Sequence, residues 1–193
     1  MNINRFTQKS LQAVQDCEKI AMEYGNQEIC QEHLFYALLT QEDGLILKMM
    51  EKMGLDKNYV ANRAEQAVAK RPKVQGGQAF VGQDLNKVLI HAEDEMKQMG
   101  DEYVSVEHLF LALLKYPSRE MKELFREMGI SKEGFLQALS TVRGNQKVTS
   151  DNPEATYDTL KKYGTDLVER ARDQKLDPVL GRDSTIRHVL SLL

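Results

Sequence analysis
The chain has 193 residues, 41% of them hydrophobic, and a net charge of −3. That balance presents no basic field for nucleic acid. No apolar run reaches the roughly 18 residues of a membrane span, and the opening MNINRFTQKS lacks the apolar stretch of a secretion signal. Cys17 and Cys30 stand without a metal-type spacing or a CxxC pair. With no signal, they predict free thiols in a reducing cytoplasm.

The first predicted helix begins at Thr7, which can cap the unpaired amides of the first turn. Phe6 and Leu11 have the spacing of a hydrophobic staple around it. Ala13, Cys17, Ile20 and Tyr24 recur at helical intervals, and Leu11, Val14 and Ala21 widen that face. Gly25 follows as a left-handed stop. Further helices are predicted over about 32–40, 45–53 and 57–69. Pro72 and Gly76-Gly77 make KRPKVQGGQAFVGQ a loop.

The pattern then repeats. YGNQEICQEHLFYALL at 24–39 lies over MGDEYVSVEHLFLALL at 99–114, offset by 75, with 8 of 16 positions identical. The same register places Met53-Gly54-Leu55 over Met128-Gly129-Ile130, and Ala13, Val14 and Cys17 over Val88, Leu89 and Ala92. A 75-residue period is too long for a solenoid repeat. It predicts a four-helix unit used twice, over about 1–70 and 81–143, related by a pseudo-twofold with a groove at the seam. EHLF-ALL is expected first of all as a core helix, with Leu34, Phe35 and Leu38, and Leu109, Phe110 and Leu113, buried against their own units. Ser105 is the better N-cap where Cys30 stood. Glu32 and Glu107 fall in first turns, where the helix dipole favours an anion. Nothing in the first 143 residues alternates with period two, so strands are not expected.

After Gly144 the polar segment 144–156 predicts a flexible linker and a domain boundary. Leu160, Tyr163, Leu167 and Ala171 then predict a helix over Tyr157–Gln174. KLDPVLGRD breaks it, and a last helix is expected from Ser184.

The tail, LKKYGTDLVERARDQKLDPVLGRDSTIRHVL, resembles the start of the first AAA+ module of the Clp/heat-shock-100 unfoldases. The doubled unit resembles the Clp N-terminal domain, and RPKVQGG between the copies resembles the ClpB branch. The resemblance covers essentially the whole chain. It implies an all-α Clp N-domain over 1–143, then the linker and the first helices of a truncated AAA+ α/β domain over 157–193. The parent it implies is a cytoplasmic homohexameric ATPase that uses ATP and Mg, extracts aggregated proteins and works with a DnaK-type chaperone system. The chain itself is expected as a monomer with no cofactor. GxxxxGK[ST], whose amides and lysine hold phosphates, does not occur, nor does a Walker-B pair. Val179 and Leu180 would therefore form only one wall of the parent's adenine pocket, and no ATP turnover is expected.

For the N-domain the resemblance implies docking of unfolded or aggregated polypeptide, with Thr7, Asp101 and Glu107 at polar positions that matter. On the residues alone these are a helix cap, a turn carboxylate and a first-turn carboxylate. The apolar candidates lie at the seam: Val88, Leu89, Phe80 and Val81. Leu89 is the foremost of them, though its spacing also suits plain core. Weak binding with little sequence preference is expected. His33, His108 and His91 lack a metal-site spacing, and no nucleophile motif is present. The alternative is the adaptor-docking N-domain of a protease-associated Clp unfoldase.

Overall fold
The computed structural model describes residues 3–154 and Tyr157. The predicted helix at 157–174, Val179 and Leu180 therefore fall, Tyr157 apart, outside the described residues. The first repeat contains α1 (Gln8–Glu23), α2 (Gln31–Leu39), α3 (Leu45–Lys52) and α4 (Lys57–Ala69). The second contains α5 (Gln83–Gln98), α6 (Val106–Lys115), α7 (Arg119–Met128) and α8 (Lys132–Arg143). Short polar side chains set the starts. Thr7 Oγ1 accepts the Ser10 N–H at 3.2 Å, Asp56 Oδ1 accepts from Asn58 and Tyr59, and Ser118 and Ser131 act likewise. The stops explain two glycines shared by the copies: Gly25 and Gly100, and Gly54 and Gly129, all have φ between 70° and 79°. Side chains with a Cβ seldom adopt that conformation.

α2 and α6 run through the centre, with Leu34, Phe35, Leu38, Leu109, Phe110 and Leu113 fully buried. They do not all pack within their own units. Phe35 and Phe110 meet across the seam with ring centroids 6.0 Å apart, and Phe125 stands edge-on to both at 5.4 and 5.9 Å. The repeated motif thus packs against its own copy.

Strands, not expected from the sequence, occur as two very short parallel clasps. β1 (Glu28–Ile29) pairs with β2 (Phe80–Val81), and Phe6 bridges Val104. Adding 75 to Ile29 gives Val104, and subtracting it from Val81 gives Phe6, so one clasp is made twice with the repeats exchanging roles. Two residues are too few to show alternation.

The segment 145–154 departs from the free linker that its composition suggested. Val148 N–H donates to Asp101 Oδ1 at 3.0 Å, and its carbonyl accepts the Glu102 N–H at 2.8 Å. The Asp151 carbonyl accepts the Gln8 N–H at 2.8 Å, and Val148 and Glu154 are buried. Its polar groups are spent on backbone and side-chain partners in the helical unit, which composition does not reveal.

Candidate functional site
The His of each EHLF motif closes a helix start. Cys30 N–H donates to His33 Nδ1 and Ser105 N–H to His108 Nδ1, each at 2.8 Å. This is a capping box with histidine in the place of glutamate. A backbone donor leaves Nδ1 no proton, so Nε2 carries it and donates. His33 Nε2 meets Asn26 Oδ1 at 2.9 Å, and His108 Nε2 meets Asp101 Oδ2 at 2.7 Å.

The copies differ at the next contact. Asn26 Nδ2 is a donor and finds the Arg71 and Pro72 carbonyls at 3.4 and 3.0 Å. Asp101 Oδ1 is an acceptor, and Arg143 Nη2 and the Val148 N–H supply it. Burial alone would raise the Asp101 carboxyl. The donors from His108, Arg143 and Val148 outweigh it and hold the group below the usual carboxylate range. In the first copy, burial and the nearby Arg71 charge depress His33 to about 4, so it is neutral.

Arg143 also reaches Glu107 Oε2 at 3.5 Å. Beyond it lies Glu154, whose Oε2 accepts from Thr7 Oγ1 at 2.7 Å and from the Val106 N–H at 3.2 Å. Burial, with Glu107 beside it, pushes the Glu154 carboxyl up to about 8. Three of the sequence candidates, Thr7, Asp101 and Glu107, therefore belong to one buried polar network. It ties α1, α6, α8 and the 145–154 segment together.

The apolar candidates divide. Val88 and Leu89 are buried on α5, whereas Phe80 and Val81 are 52% and 48% exposed. Phe80 N–H donates to the Gln27 carbonyl and Gly82 N–H to that of Ile29. By the geometry of a parallel ladder, the Val81 N–H and C=O point away from β1. Two exposed apolar side chains thus sit on an open strand edge. At the seam, a cleft of about 460 Å³ opens between α4 and α7. None of the apolar candidates lines it. Its walls carry Arg63, Lys70, Arg71 and Arg119 against Glu32, Glu120, Glu123 and Glu127, with Ala67 and Leu124 between them, so charges of both signs frame it.

Sequence reasoning missed Asn26, Arg143 and Glu154, and gave His33 and His108 no role. Two signals were legible: Asn26 over Asp101 at the repeat offset, and Arg143 next to the apolar Phe135, Leu139 and Val142 of α8. Glu154 carried none. Among the described residues no group of His, Cys, Asp and Glu is arranged for a metal. No described helix is long and apolar enough to cross a membrane.

Residues 5–128 match the family model described as the Clp repeat (R) N-terminal domain. Two chaperone proteins ClpB align with the whole chain, one from Nitratidesulfovibrio vulgaris at 48% identity and one from Bacillus cereus at 41%. The chain spans 23% of the length of each. Among solved structures, the Hsp104 N-terminal domain from Candida albicans superposes with a TM-score of 0.69 at 20% identity, covering 77% of this chain and 98% of that one. A ClpV N-domain in complex with a VipB peptide superposes with a TM-score of 0.58 at 20% identity, covering 72% and 86%.

Proposed function
The chain belongs to the Clp repeat N-terminal domain family, and from that premise we propose that it is the client-docking N-terminal module of an ATP-dependent disaggregase. Its clients are unfolded or aggregated polypeptides, and the parent is a ClpB-type hexamer that works with a DnaK-type system. The relatives named chaperone protein ClpB that align with the whole chain support this reading. The observation that carries the docking role is the exposed Phe80–Val81 edge. An unfolded chain has free backbone groups and exposed apolar side chains, and both find partners there by strand addition. Thr7, Asp101 and Glu107 belong to the buried network beside the Phe6–Val104 clasp, and Val88 and Leu89 to the core face of α5, so their part in docking is indirect.

Covering roughly 300 Å² of apolar surface yields about 7 kcal/mol gross. Association and ordering of a flexible client consume at least about 4 kcal/mol of that. Dissociation constants between roughly micromolar and millimolar follow, which suits a collector that acts from six copies at once. The test is fluorescence anisotropy of a labelled, permanently unfolded protein against the chain and its Phe80→Ser/Val81→Ser variant. Saturable weak binding that the variant loses, with its helical circular dichroism intact, supports the docking edge. Binding that the variant retains removes it.

The charged cleft between α4 and α7 favours a second reading, docking of a polar adaptor segment, as in a protease-associated Clp unfoldase. The neighbouring ClpV N-domain is described in complex with a peptide. A chain that binds no unfolded protein while fully folded moves this reading to first place.

A further inference from the structure
We propose that residues 146–154 form a detachable strap latched at Glu154, so that the chain leaving the helical unit has two lengths. The strap touches the body at three places, one of them the Asp151 carbonyl that takes the Gln8 N–H at 2.8 Å. Val148 inserts beside Asp101 and Glu102, and Pro153 and Glu154 are buried at its far end. Residues 149–151 between them are exposed. The latch is a single carboxyl laid over the first turn of α6, where Oε2 takes the Thr7 hydroxyl and the Val106 N–H. Its other oxygen, Oε1, is buried without a hydrogen-bond partner.

The pseudo-twofold shows that the helices do not need this cover. Gly82 stands where Thr7 stands, and Gln31 where Val106 stands. At that matching end of α2 a cavity of about 130 Å³ opens, lined by Cys30, Gln31, Glu32 and Gly82. The first repeat keeps the same four-helix plan with Ala79 where Glu154 stands, the Glu28 side chain lying against Gly82 instead. The cover over α6 is therefore an addition to the fold, held mainly by polar contacts.

The latch is also sensitive to protons. The charged groups of the surrounding network are Glu107 and His108 on α6, Asp101 ahead of α6, and Arg143 on α8. Burial and Glu107 push the docked Glu154 carboxyl up to about 8, against about 4.3 when released. Docking takes up a proton between those values. The strap is therefore tightest in acid and loosens as pH rises through that window. Release of residues 148–154 adds roughly 20 Å of reach, which enlarges the volume the domain can search.

The test is amide hydrogen exchange on the full chain, with Glu154→Gln and Glu154→Lys. Expected in Glu154→Lys is exchange faster by about tenfold or more at Gln8, Glu102 and Val148, with α2 and α6 protection unchanged. Glu154→Gln keeps the strap down, and the pH dependence seen in the parent chain is lost after correction for intrinsic exchange. The proposal is overturned if strap and core amides exchange at one common rate in the parent chain, or lose protection together in Glu154→Lys. It is equally overturned if Glu154→Lys leaves all three strap-linked amides as protected as before.

Discussion

Arg143→Met removes the cation at the centre of the buried network and keeps most of the side chain's bulk. Asp101 loses one strong donor but keeps His108 Nε2 at 2.7 Å and the Val148 N–H at 3.0 Å. Glu107 loses the guanidinium at 3.5 Å, and its Oε1 is already buried without a partner. Breaking a buried ion pair from one side costs about 3–5 kcal/mol. The donors left on Asp101 place this case near about 3 kcal/mol. For a domain of this size that is a fall in Tm of about 6–12 °C. The pH dependence adds a second handle. The folded Asp101 carboxyl lies below its ordinary value, so its contribution is present above about pH 4 and lost as pH falls through the lower folded value. Without Arg143, its hydrogen bond and its charge no longer hold the carboxyl down, and that contribution shrinks. The stability gap between the two proteins should therefore narrow towards pH 3. Urea unfolding at pH 7 and at several lower values reads both quantities. A gap under about 1 kcal/mol at pH 7, or one that stays constant down to pH 3, refutes this account of the network.

His33, depressed to about 4, should show no NMR titration near neutrality. Its contribution is intact above about pH 6.5 and is lost as pH falls towards 4, by about 2 kcal/mol after solvent screening; a His33 midpoint near 6.5 contradicts the buried capping role. Leu89→Ser places a hydroxyl in the core of α5 and should cost about 3 kcal/mol in urea unfolding. Loss of client binding in that variant therefore reports on folding, and unaltered stability would place Leu89 at the surface. Gly129→Ala meets no atom within 4 Å but must hold φ near 74°. It should cost about 1 kcal/mol from backbone strain alone, and a neutral result would show that the turn relaxes.

Much of the fold was legible because it repeats. A register shared by Gly25 and Gly100, by Gly54 and Gly129, and by the two EHLF motifs defines helices, stops and central packing together, since each is a local demand on the chain. The clasps were not legible. Phe6 with Val104 and Ile29 with Val81 are two-residue pairings between distant segments, below the length at which alternation speaks. The polar network was half legible. Thr7, Asp101 and Glu107 were singled out, but their partner Glu154 sits in a segment whose composition resembles any solvated loop. Val88 and Leu89 have the same helical spacing whether they face the core or a groove. Only packing decides, and it places them inside, while Phe80 and Val81 stay outside because the strand that carries them has no second neighbour among the described residues.

The exchanged clasps also shape how the molecule is made. The most extensive helix pairs, α1 with α2 and α5 with α6, join sequence neighbours, but the clasps join Ile29 to Val81 and Phe6 to Val104, and closing such long loops is slow relative to forming helices. Until they close, each half carries an open receptor for the other half's entering segment. The two-residue clasps are thus the contacts expected to close last as the molecule folds.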